Sequence, residues 1–250
     1  MKVNNLYWGN PKKSDYDLIL DYYSGTKINS TQTSSIPLAQ FWKNTENVLE
    51  SIFKELNISN DNADVYFEYP TKSKGSNKAS MSDVMIISGQ HKIAIEAKYT
   101  EYAKVGYETI REWLKNGNKE NRRSVLNHWK KMIEGYIEEN SDVRNEESES
   151  YLDLPYQLLH RTASACFDNP QSAYVVYELF WDDSTKQDLD KFIKLLCNWV
   201  KTIGAKSTLG FYAHAIEIKE YNKEVKKDCV FQKMKEESIY TFGDEEFIKI

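Results

Sequence analysis

The sequence predicts an α/β fold, a single domain with a helical insertion, and three observations predict it. Phe41, Thr45, Val48, Leu49, Ile52, Phe53 and Leu56 recur at the 3.6-residue spacing of one helix face. Short apolar runs bounded by turn residues follow: VYFEYP, DVMIIS, KIAIEAK and, later, SAYVVYELFW and TLGFYAHAIEIKEY. Helical patterns then separate the later strands. The order is helix, three strands, helices, strand, helix, strand, which is the alternation of a layered α/β domain.

Residues 1–36 mix Tyr-rich stretches with the polar run NSTQTSS and read as an N-terminal arm, either loosely packed or forming a short helix around Ser14–Tyr23 before a loop. From Pro37 the helical pattern begins, and the domain is predicted to span 37–250. Asn57–Asn62 ends that helix. The polar, basic loop TKSKGSNKAS separates the first two strands, and Gly89-Gln90 separates the second from the third. A helical insertion is predicted over about 103–150, anchored by Trp113, Val125, Trp129, Ile133 and Ile137 and closing on the acidic linker Glu138–Ser150. Pro155 opens the helix YQLLHRTASACF, and KQDLDKFIKLLCNWVKTIG forms another between the last two strands.

Composition narrows the function. A chain of 250 residues with 40% hydrophobic and 28% charged content suits one sizeable soluble core. A net charge of −5 argues against a surface wrapped in nucleic acid, but not against a local basic cleft. Cys166, Cys197 and Cys229 are few, odd in number and widely spaced, so reduced thiols in the cytoplasm are expected, without a zinc site. No P-loop, GxGxxG or Ser-His-Asp pattern is present.

The chemistry concentrates in SDVMIISGQHKIAIEAK. Gly at the first loop position signals a two-residue type II′ turn, so Ser88 and His91 flank it. Antiparallel pairing then sets Asp83 opposite Glu96, with Cβ atoms roughly 5 Å apart. Alternation points Glu96 and Lys98 to one face, while Ile93, Ile95 and Ala97 point to the other. Two facing carboxylates destabilise a buried sheet, and a divalent cation removes the conflict. Mg²⁺ prefers oxygen ligands of this kind, and a lysine beside it can orient an attacking water or offset transition-state charge.

These residues resemble the PD-(D/E)XK nuclease superfamily. Its signature is an Asp at the start of one central strand and (Asp/Glu)-x-Lys on the next, here Asp83 and Glu96-Ala97-Lys98. Ser82 stands where the signature has Pro. The resemblance implies a restriction-endonuclease-like three-layer core, α-β-β-β-α-β around a mixed central sheet, from about Pro37 to Tyr221. It implies Mg²⁺, with Mn²⁺ able to substitute, ligated by Asp83, Glu96 and the Ala97 carbonyl, with Lys98 as the catalytic lysine. It also implies a further Glu from the first core helix, Glu46 or Glu50, of which Glu46 is the better placed. On the helix after the third strand it implies a polar residue facing the metal, here Gln157, with Arg161 one turn on to hold a phosphate.

Lys72, Lys74 and Lys78 in the loop before Asp83, and Arg122 and Arg123 in the insertion, are candidate contacts to nucleic acid. The activity expected is Mg²⁺-dependent DNA endonucleolysis of restriction or defence type. The expected partner is double-stranded DNA, and cutting both strands favours a homodimer. A repair or recombination nuclease, an RNA-directed member and a non-catalytic nucleic-acid-binding domain remain alternatives.

Overall fold

The computed structural model describes the whole chain except residues 1, 11, 25–32, 60–61, 77, 104–107, 146–147 and 223–229. Its strands are β1 (Lys2–Trp8), β2 (Lys12–Ser14), β3 (Asn62–Thr71), β4 (Ser80–Ser88), β5 (His91–Lys98), β6 (Ser172–Trp181), β7 (Leu209–Tyr221) and β8 (Tyr240–Lys249). They form one mixed sheet in the order β2-β1-β3-β4-β5-β6-β7-β8. The chain crosses in parallel between β1 and β3, β5 and β6, and β6 and β7, and the other neighbours are antiparallel. Among the described residues no helix is long and apolar enough to cross a membrane.

Helices cover both faces, because alternating apolar residues leave each strand with two faces to bury. On one face lie α1 (Tyr16–Ser24), α2 (Ser35–Phe41), α3 (Thr45–Glu55) and α9 (Val230–Glu236), packed on Val65, Ile86, Ile93, Ile95 and Val176. On the other lie α5 (Lys119–Ile133), α7 (Tyr156–Cys166) and α8 (Lys186–Ile203), packed on Met85, Ala94, Val175 and Tyr177. α3 has no side-chain cap and is held by its buried stripe Val48, Leu49, Ile52 and Phe53. Each such side chain contributes about 1.5–3 kcal/mol on burial, far more than a cap. α4 (Ile110–Lys115) and α6 (Glu149–Leu152) complete the insertion.

The predicted core order stands between α3 and β7. Four features differ from the sequence reading. The segment read as an arm carries β1, which pairs in parallel with β3, and its expected short helix, α1, is not loosely packed but buries Ile19, Leu20 and Tyr23. The helix from Pro37 is two helices, broken by a 3₁₀ turn at Trp42–Asn44. The acidic linker is anchored at one point, where Ser141 and Val143 are buried and Arg144 pairs with Glu134 at 3.2 Å, while most of its other described residues are exposed. Beyond β7, residues after 229 add α9 and the edge strand β8.

The β4–β5 hairpin has the register its turn predicts. Val84 pairs with Ile95, Ile86 with Ile93, and Ser88 with His91. Gly89 takes φ 57° while Gln90 is not at positive φ, the pattern of a type II′ turn. Gly89→Ala is therefore expected to cost about 1 kcal/mol, measured by urea denaturation, because an L residue is strained there.

Candidate active site

Asp83 and Glu96 lie one step past the last ladder pair, Val84–Ile95, where β4 and β5 reach the end of their pairing. There the Asp83 side chain takes over from the backbone, its Oδ2 accepting the Ala97 N–H at 2.7 Å. Glu96 is only 4% exposed, and every neighbour bonded to its carboxylate is a donor. Lys98 Nζ and Gln157 Nε2 donate to Oε1 at 3.0 and 2.5 Å, and the Arg161 guanidinium pairs closely with Oε2. Arg161, 2% exposed, also donates to Ser82 Oγ and to the Met81 carbonyl, each at 2.5 Å. Ser82, in the place where the motif has Pro, is thus an acceptor for the arginine that holds Glu96.

A third carboxylate joins them. Glu68 on β3 has φ 53°, a left-handed backbone that costs a non-Gly residue on the order of 1–3 kcal/mol. The consequence shows in the burial pattern. Ala63, Val65 and Phe67 belong to the α3-side core, whereas Tyr69 belongs to the α7-side core. The strand changes face at Glu68, beside the motif.

The charges are in tension. Burial, then Glu96 and Glu68, push the Asp83 carboxyl well above its usual range. Burial and Glu96 raise Glu68 to about 7, against the pull of Arg161. Burial also works against ionised Glu96, but Arg161 and Lys98 outweigh it and hold that carboxyl below its ordinary value. Asp83, Glu68 and Glu96 therefore interact as like charges in a poorly solvated place, where Arg161 and Lys98 outweigh burial at Glu96 but not at Asp83, and Arg161 does not outweigh it at Glu68. Asp83 and Glu68 are both disfavoured when ionised, which is the electrostatic conflict a hard divalent cation relieves. Among the described residues no group of three or more His, Cys, Asp or Glu side chains already has the arrangement of a metal cage.

The other predicted residues divide. Gln157 and Arg161 reach the motif, but through Glu96. Arg161, expected on a phosphate, is buried and already bound on three sides. Glu46 and Glu50 do not reach the motif from where they stand: both are exposed on α3, which packs against the face bearing Ile93, Ile95 and Ala97. Alternation puts Glu96 and Lys98 on the opposite face, and the further carboxylate coupled electrostatically to Asp83 and Glu96 is Glu68 from β3. Lys78 and Arg122 line a cleft beside Glu96, while Lys72, Lys74 and Arg123 are exposed elsewhere. Cys166 and Cys197 are free thiols, and Cys229 lies outside the described residues.

Sequence reasoning missed two participants. Glu68 occupies what reads as an ordinary outward position of VYFEYP, and nothing local marks its left-handed backbone. His160 was legible in part, since Gln157, His160 and Arg161 share one helix face at i, i+3 and i+4. Its Nδ1 is bonded to Ser80 Oγ at 2.7 Å, and burial, aided by Arg161, drives its pKa down to about 3, so the ring is neutral.

Residues 11–223 match a family described as a domain of unknown function, DUF6946, and the matched stretch contains Glu68, Asp83, Glu96, Lys98, Gln157 and Arg161. No curated protein and no solved structure matches the chain. Because the match spans most of its length, the chain belongs to the DUF6946 family.

Proposed function

We propose that the chain is a metal-dependent phosphodiesterase of restriction-endonuclease-like fold, cleaving DNA in a restriction or defence setting. One observation carries the reading: Asp83 stands beside Glu96 at the end of a register-matched hairpin, with Lys98 ion-paired to Glu96 at 3.0 Å on the same face. The helix-strand-strand-strand-helix-strand order of α3, β3, β4, β5, α7 and β6 supports it.

Asp83 and Glu96, with Glu68 and the Ala97 carbonyl beside them, would hold Mg²⁺ or Mn²⁺. When bound, the ion supplies positive charge for a phosphoryl oxygen and makes a bound water more acidic. The chain's own groups do the rest. Arg161 and Gln157 hold Glu96 in one rotamer, which fixes the direction of its carboxylate. Lys98, ion-paired to Glu96, presents an N–H to an attacking water or to a non-bridging oxygen as charge accumulates there. Asp83 closes the strand end on Ala97 N and so sets the spacing of the two strands at the reacting centre.

Plasmid DNA incubated with Mg²⁺ or Mn²⁺ tests the reading. Wild type should nick or linearise it, and Asp83→Ala and Lys98→Ala should each lower the rate by about a hundredfold or more. Absence of cleavage by wild type, or equal cleavage by all three, would refute the nuclease reading. A second reading, a nucleic-acid-binding domain without catalysis, is favoured by one observation: Glu96 is already neutralised by two cations. DNA binding without cleavage under either metal would select it.

A further inference from the structure

A cleft of about 550 Å³ opens against Glu96, between the β3–β4 loop, α5 and α7. Its charge is opposite to that of the chain. Lys78, Arg122 and Arg161 line it against the one carboxylate of Glu96, in a protein of net charge −5. One wall is a stack of flat groups: Trp113 lies on Tyr156 with ring centroids 3.9 Å apart and planes within 10°. The Arg122 guanidinium lies 4.6 Å over the Trp113 ring. Trp129 braces that stack by donating its N–H to Tyr156 Oη at 2.8 Å. Ser73 Oγ and Arg161 Nε, buried polar atoms on lining residues, have no hydrogen-bond partner, and Glu96 Oε2 has only its ion pair with Arg161. The neutral His160 ring adds a third polar edge.

Cations, a stacked aromatic wall and unsatisfied hydrogen-bonding atoms together call for a ligand that is anionic, flat and polar at its edges. A nucleotide has all three properties: Arg planes and aromatic rings stack bases, and unpaired buried polar atoms are satisfied by base edges or phosphate oxygens. The availability of a base face and edge decides which form of nucleic acid. About 550 Å³ falls in the range of about 300–1,000 Å³ that takes a single small ligand. Glu96, scarcely exposed, borders this space, so a phosphodiester reaching it from the cleft must come in with its own base. In a duplex the base keeps its face stacked on its neighbours and its edge paired with its partner, so neither is offered to the aromatic wall or to the polar atoms of the cleft.

We infer that the cleft beside Glu96 receives one unpaired nucleotide, so that the substrate is a single strand, a frayed end or a flap and not the continuous duplex expected from sequence. The inference rests on the phosphodiesterase reading for its consequence, but not for its test.

Binding in EDTA separates the two. Fluorescence anisotropy is measured with a labelled DNA strand of about 12 nucleotides, its blunt duplex, and RNA of the same sequence. The single strand should bind about tenfold or more tightly than the duplex, as DNA or as RNA. Lys78→Glu and Arg122→Leu should each abolish most of that preference. Lys78 is exposed, so its variant keeps the wild-type unfolding midpoint and guards against a folding artefact. Equal or tighter duplex binding overturns the inference, and so does a preference that both variants retain. With Mg²⁺ or Mn²⁺ added, faster cleavage of the single strand supports it. Duplex cut as fast as single strand leaves the nuclease standing and removes the inference. Single-strand binding without any cleavage keeps the cleft assignment and removes the nuclease.

Discussion

Arg161→Ala is expected to lose about 3–5 kcal/mol of unfolding free energy in urea denaturation at pH 7, the largest stability effect at the site. The guanidinium is buried and bridges α7 to both strands of the motif hairpin, through Ser82 Oγ and the Met81 carbonyl on β4 and Glu96 on β5. Its removal leaves Glu96 buried with Lys98 as the one cation paired to it, and strips Met81 and Ser82 of their donor. Arg161→Lys keeps a charge but not the fork and should fall between the two. The loss in Arg161→Ala should shrink in acid, because burial then dominates and raises the Glu96 pKa, and a raised carboxyl destabilises only where it is ionised. A loss below about 1 kcal/mol at pH 7 would show that Arg161 does not compensate Glu96.

Glu68→Gln should act in the opposite direction. In EDTA at pH 8 it is expected to stabilise the fold by about 1–3 kcal/mol. Glu68 titrates at about 7 in the folded chain against 4.5 as its ordinary value, so the folded state binds the proton more tightly. Its contribution favours folding below 4.5 and is lost as pH rises through about 7, where the ionised side chain meets Glu96 in a buried place. Gln removes that loss, so the gain over wild type is full above pH 7 and vanishes near pH 4.5. Asp83→Asn should have the same sign, since Asp83 is raised by burial and by both neighbours, while an amide oxygen can still accept the Ala97 N–H. Both substitutions should also reduce Mg²⁺-dependent cleavage, so stability and activity move apart. A Glu68→Gln profile parallel to wild type between pH 4.5 and 8 would refute the electrostatic account.

The legible parts of the site are those encoded within a few residues. Gly89-Gln90 and the alternation around it were enough to place Asp83 against Glu96, because a two-residue turn sets the whole register of its hairpin. The i, i+4 spacing of Gln157 and Arg161 placed them on one helix face, and both do meet Glu96. Their role there was not legible: the pairing spans 61 residues to Gln157, and it is the burial of Glu96 that makes it bind two cations and an amide. The Glu expected from α3 does not reach the motif for a related reason. Helical periodicity says that α3 buries one stripe, but not which face of the sheet receives it, and α3 docks on the face away from Glu96 and Lys98.

The sequence by itself therefore determined the order of the core elements, the register of the motif hairpin and the identity of Asp83, Glu96 and Lys98 as neighbours. All of these follow from local turn chemistry and side-chain periods. Only the tertiary structure decided that β1 and β8 extend the sheet, that Glu68 turns left-handed to join the cluster, and that Arg161 is spent on Glu96. It also decided that Lys78 and Arg122 face a common cleft with Trp113. These depend on which surfaces bury each other across long sequence separations, where packing and the cost of unpaired buried charge outweigh any local preference.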